Sequence, residues 1–165
     1  MGIRKLRKLN KVKAVVSKFT ASYGIKAYLN KDFEALVNER KVGYTLALNK
    51  EDVEFFTADA KLRFPTINAD PFIWLLLHEI GHIMTAGMWT SEELAYFEER
   101  KEESIPYIQN DQYRNDYYHC CPDEFFATRW AGMEMLTHKA KIAKFAKELG
   151  KVVKEFYAAN NIEID

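Results

Sequence analysis

The sequence predicts an α+β protein: a small, mostly antiparallel sheet packed against a buried helix and further C-terminal helices. Three observations predict it. Apolar residues at helical spacing (Ile3, Leu6, Val12, Val15, Val16, Phe19) mark an amphipathic helix at the start of the chain, and "HKAKIAKFAKELGKVVKEFYAAN" marks another near its end. β-branched and aromatic residues gather in "IKAYL" and "KVGYTLAL", as strands require. The most hydrophobic segment, "FIWLLLHEIGHIM", lies between these regions and has the length of a buried helix.

Taken in order, the first helix ends at Gly24. The strands "IKAYL" and "KVGYTLAL" follow, with "DFEALVNER" between them ambiguous in period. "VEFFTADAKLRF" reads as a further strand, or a strand and a turn, and as the sheet edge along which an extended peptide would lie. Asp70 caps and Pro71 opens the central helix, which runs to about Ala86, before Gly87. It is apolar on nearly every side and should be buried. Thr90 and Glu93 form a capping box for a helix to about Ser104. "IPYIQNDQYRNDYYHCC" is polar, aromatic and irregular, a loop or a loop with a short helix. Pro122 starts the helix "PDEFFATRWAGMEML", and the last amphipathic helix has Gly150 as a weak point.

A chain of 165 residues fits one domain with a real core, and its 14% aromatic share points to ring packing within it. Zero net charge gives the whole molecule no long-range pull toward nucleic acid or membrane. That average hides an asymmetry. No acidic residue precedes Lys31, while Arg4, Lys5, Arg7, Lys8, Lys11, Lys13 and Lys18 lie close together. Such lysines usually form a solvated helix face; the alternative is a contact surface for nucleic acid. No apolar run approaches the roughly 20 residues of a membrane span, so no membrane association is expected. "AVV" after the basic start is too short for a signal-peptide core, and Leu6 stands where a myristoylation motif needs Ser or Thr. The adjacent Cys120 and Cys121 build no disulfide framework. A cytoplasmic protein is the expectation.

The chemistry resides in "HEIGH". Residues four apart share a helix face, so His78 and His82 point the same way and can bind one zinc ion through imidazole nitrogens. Glu79 is turned by about 100° from His78. It is poorly placed as a ligand but well placed to reach a water at the metal, as a general base would. The alternative is a pair of core histidines satisfied by hydrogen bonds, with Glu79 at the surface. Gly81 costs a helix about 1 kcal/mol relative to Ala, which suggests close approach by another segment.

A catalytic zinc needs a third protein ligand and an open position. Glu124 is the strongest candidate: it follows Pro122 at a helix start, where the dipole favours a carboxylate, in a segment packed through Phe125, Phe126, Trp130 and Ala131. Asp123 and Glu124 as ordinary first-turn acids is the alternative. His119, Cys120 and Cys121 are rival ligands, with buried apolar thiols the simpler role for the cysteines. His119, Tyr117 and Tyr118 are candidates to stabilise an oxyanion, or are packing and loop-surface rings. His138 reads as a solvated helix residue.

"HEIGH" followed by "EFFATRWA" resembles the gluzincin pattern of zinc metallopeptidases, H-E-x-x-H and then E-x-x-A-[D/T]-x-[F/W]-A, found in membrane HtpX-like and soluble ImmA/IrrE-type peptidases. It is similar above all to small phage- and prophage-encoded proteins with such a helix pair. The resemblance covers roughly Asp70 to Leu136. It implies a zincin-like fold with His78, His82 and Glu124 as Zn2+ ligands and Glu79 as general base. Where many gluzincins place an Asp that orients a histidine ligand, this chain has Thr128, a neutral hydroxyl, which lowers the expected ligand basicity.

Together these readings give a single domain over residues 1–165: a basic amphipathic helix in 1–24, a small sheet in 25–69, and a helical part with the metal site in 70–165. The expected function is zinc-dependent hydrolysis of a peptide or protein substrate in the cytoplasm, or in the host cytoplasm if phage-encoded. The alternative is a catalytically weak or inactive metal-binding scaffold or regulatory protein, associated with nucleic acid through the basic helix. Oligomeric state is not legible.

Overall fold

The computed structural model describes residues 2–63, 70–101 and 121–162. The fold is α+β and mostly helical, in the order α1 (Ile3–Ala21), β1 (Lys26–Leu29), β2 (Glu34–Leu36), β3 (Lys41–Tyr44), α2 (Lys50–Arg63), α3 (Pro71–Thr85), α4 (Ser91–Arg100), α5 (Pro122–Thr137) and α6 (Lys139–Ala159).

The sheet has three strands in the order β1-β3-β2. It is mixed rather than mostly antiparallel: β1 runs parallel to β3, from Lys26 opposite Lys41 to Leu29 opposite Tyr44, and only β2 runs antiparallel to it. "DFEALVNER" resolves into β2 and a turn in which Arg40 takes a positive φ of 49°. Gly43 lets side chains of the two outer strands meet across β3. The Tyr28 hydroxyl donates to Glu34 across Gly43. A Cβ on residue 43 would lie 2.9 Å from Glu34 Cγ and 2.9 Å from Tyr28 Cζ, so only glycine leaves room for that bridge.

Residues 50–63 are helix, not strand, so among the described residues the small sheet occupies only the first part of 25–69, and the described part of "VEFFTADAKLRF", residues 53–63, forms no edge strand. The cause is a cap just upstream. Asn49 Oδ1 accepts the Asp52 N–H at 2.8 Å, and Asp52 Oδ2 accepts the Leu48 N–H at 3.0 Å. Two otherwise orphaned donors are thereby satisfied, with Glu51 and Asp52 in the favourable first turn.

The helical expectations around the centre hold. Asp70 Oδ1 accepts from the Phe72 and Ile73 N–H groups at 2.9 and 3.3 Å, and α3 buries ten residues, including His78, Glu79 and Gly81. The Thr90/Glu93 capping box opens α4. α1 and α6 run antiparallel: Phe19 stacks on Phe145 at 3.9 Å and Lys8 pairs with Glu155 at 2.8 Å. Their buried stripes (Leu9, Val12, Val16; Ile142, Phe145, Leu149) join Val42, Tyr44 and the apolar residues of α3 in the main core. A smaller cluster of Phe97, Phe125 and Phe126 ties α4 to the start of α5. Among the described residues, no helix is long and apolar enough to cross a membrane.

Candidate metal centre

The site forms where α3 crosses α5. Gly81 sets the approach: a Cβ there would stand 2.6 Å from the Ala127 carbonyl oxygen and 3.0 Å from Ala127 Cα. Backbone therefore lies against backbone, which accounts for the glycine that helix propensity disfavours. Each helix then presents a pair of residues four apart, on one face. His78 and His82 come from α3, Glu124 and Thr128 from α5.

These side chains converge. His78 Nε2 lies 2.9 Å from Glu124 Oε2, His82 Nε2 lies 3.2 Å from Glu124 Oε1, and the two Nε2 atoms are 3.1 Å apart. Their rings meet nearly at right angles, at 87°. His78 is fully buried, while His82 and Glu124 keep 14% and 20% of their side chains exposed, so the cluster opens to solvent on one side. Three potential ligand atoms within 4.8 Å of one another make a group able to hold a metal ion. The separations also suit one. A tetrahedron with arms of 2.0–2.1 Å has edges of about 3.3 Å, close to the 3.1 Å between the two imidazole nitrogens, while Glu124 meets each ring through a different oxygen.

The electrostatics agree with tight coupling. Burial works against charge on Glu124, but hydrogen bonds from His78 and His82 and their positive potential hold its carboxyl well below the usual carboxylate range. Burial likewise disfavours a charged His82, yet the Glu124 hydrogen bond and the negative charges of Glu124, Glu79 and Asp123 raise its pKa. Asp123 is the contributor that sequence reasoning passed over as a plain first-turn acid.

Thr128 Oγ1 lies 3.2 Å from His78 Nδ1. With a metal ion in place of the proton between Nε2 and Glu124, an Nδ1–H donated to this hydroxyl would fix the tautomer that gives the ion the Nε2 lone pair. Glu79 is largely buried, 8% exposed, and lies outside the three-residue cluster on the same helix.

Of the remaining candidates, Cys121 sits at the N-cap of α5, accepts the Glu124 N–H at its carbonyl, and is not in the cluster. His138 is exposed at the junction of α5 and α6, 3.7 Å from Glu134, as a solvated residue would be. His119, Tyr117, Tyr118 and Cys120 lie outside the described residues. Comparison with family models, with curated proteins and with solved structures finds no match to this chain.

Proposed function

We propose that the chain is a zinc-dependent hydrolase acting on peptide bonds, with His78, His82 and Glu124 holding the ion and Glu79 serving as general base. The observation that carries this reading is the convergence of two imidazoles and one carboxylate within 4.8 Å, with a further glutamate one residue from the first of them.

When bound, zinc supplies Lewis acidity and lowers the pKa of water to around 7. Imidazole nitrogen and carboxylate oxygen are both donors that zinc accepts. The chain's own residues do the rest. Thr128 holds His78 in the required tautomer, and the buried wall of α3 excludes bulk water from one side of the site. Glu79 accepts the proton of the attacking water and passes it to the leaving amine. Zinc stoichiometry by elemental analysis and hydrolysis of a quenched-fluorescent peptide pool test the proposal. Glu79→Gln is expected to keep one zinc per chain and lose turnover. Retained turnover removes Glu79 from its role, and a protein that ignores added zinc ends the reading.

A second reading is favoured by Thr128. A hydroxyl carries no charge, so it raises the basicity of His78 less than a carboxylate would. On that basis the centre binds metal without turnover, as a scaffold. Bound zinc with no hydrolysis of any peptide pool selects it.

A further inference from the structure

The neutral composition conceals a strong polarisation that only the packing of two distant helices reveals. α1 carries seven basic residues and no acid; α6 carries six lysines and two acids, Glu148 and Glu155. The two helices therefore hold 13 of the 24 basic residues and 2 of the 24 acidic ones, a net charge of +11, and the rest of the chain holds 11 and 22, a net charge of −11. Because α1 and α6 lie side by side, this charge forms one layer.

Both acids of the layer are already engaged. Glu155 pairs with Lys8 at 2.8 Å and Lys11 at 3.5 Å, and Glu148 meets Lys18 at 3.8 Å. Among the described residues, the exposed Arg4, Arg7, Lys144, Lys147 and Lys151 have no acidic partner. Small exposed residues stand between the basic ones: Asn10, Ala14 and Ser17 on α1, Ala140, Ala143 and Gly150 on α6. A Cβ on Gly150 would meet nothing within 4 Å, so no packing demand accounts for that glycine.

We propose that the α1–α6 layer binds the phosphate backbone of duplex nucleic acid without regard to base sequence. Clustered, unpaired Lys and Arg over low relief suit a polyanion, and sequence-independent affinity comes from phosphate neutralisation. An anionic bilayer fits less well. The apolar stripes of both helices are buried in their mutual seam, and the large apolar side chains exposed on the pair are Ile3 and Leu6 alone, at one end of α1. The layer is independent of the metal centre, and so is its test.

That test is fluorescence anisotropy of a 20-base-pair random-sequence duplex, as DNA and as RNA, titrated with the full chain at 50 and 200 mM KCl. Six phosphate contacts predict an affinity loss of about a thousandfold between the two salts. Because phosphate is what is read, DNA and RNA are expected to differ by less than about tenfold. Arg4→Gln, Arg7→Gln, Lys144→Gln and Lys151→Gln combined are expected to weaken binding at 50 mM by at least about a hundredfold and to flatten the salt slope by about 3 to 4. These positions are exposed, and a thermal melt confirms the fold. Lys26→Gln with Lys31→Gln, outside the layer, is expected to change nothing. Absence of binding at 50 mM, an unchanged affinity in the fourfold variant, or tighter capture by phosphatidylserine vesicles than by either duplex overturns the proposal.

Discussion

Thr128 Oγ1 lies 3.2 Å from Nδ1 of His78, a ring with no solvent exposure. The hydroxyl is the polar side chain beside that nitrogen, and it orients the ring whose Nε2 faces Glu124. Removing it with Thr128→Val is expected to weaken zinc binding about 10- to 100-fold, the range for losing such a support. Thr128→Asp is expected to tighten binding by adding charge. Competition with a chromophoric chelator at pH 7.5 measures both. Equal affinity in all three proteins removes Thr128 from the centre.

The cluster makes the stability of the metal-free protein depend on pH in two directions. His82 has a pKa raised above its ordinary 6.5, so its contribution is full below that value and is lost as pH rises through the folded value. Glu124 has a pKa depressed below its ordinary 4.5, so its contribution is full above 4.5 and is lost as pH falls through the folded value. These two groups therefore contribute most between 4.5 and 6.5. Zinc affinity has the other dependence: it rises with pH, because the ligands must shed protons. Melting temperatures from pH 3 to 9, for wild type and for His82→Ala with Glu124→Ala, isolate the contribution. A double variant with an unaltered profile contradicts the assignment.

Gly81 gives a prediction whose sign separates two effects. Propensity alone says Gly81→Ala stabilises α3 by about 1 kcal/mol. The contact says otherwise, since the new methyl would lie 2.6 Å from a backbone oxygen that cannot rotate away. Overpacking of this kind costs about 1–3 kcal/mol. Net destabilisation is expected, with weaker zinc binding because α3 and α5 must part. Urea unfolding with and without zinc reads both effects, and a more stable variant would show that the helices do not touch there.

Asn49 tests the helix that replaced an expected strand. Its side chain caps α2 through Asp52 at 2.8 Å. Asn49→Ala is expected to cost about 1 kcal/mol, whereas Asn49→Asp and Asn49→Ser should preserve stability. Chemical denaturation distinguishes them, and indifference to alanine would deny the cap.

Much of this architecture is written locally. Asp70-Pro71 and Thr90–Glu93 announce helix starts because capping groups bind donors two or three residues away. The four-residue spacing of His78 and His82 guarantees a shared face wherever the helix is placed. The Asn49 cap was equally local, but the aromatic run of "VEFF" masked it by imitating a strand. Strand order was not local at all. It depends on pairings between residues distant in sequence, such as Lys26 opposite Lys41 and Glu34 opposite Gly43, which exist only once the sheet does.

By itself the sequence determined the buried central helix, the facing imidazoles and the candidacy of Glu124, because helical period and end effects follow from backbone geometry. Tertiary structure alone decided that Glu124 and Thr128 meet His78, and that two basic helices at opposite ends of the chain form one charged layer. Those outcomes depend on side chains distant in sequence packing together, as Gly81 does against Ala127, and no local pattern encodes such a distance.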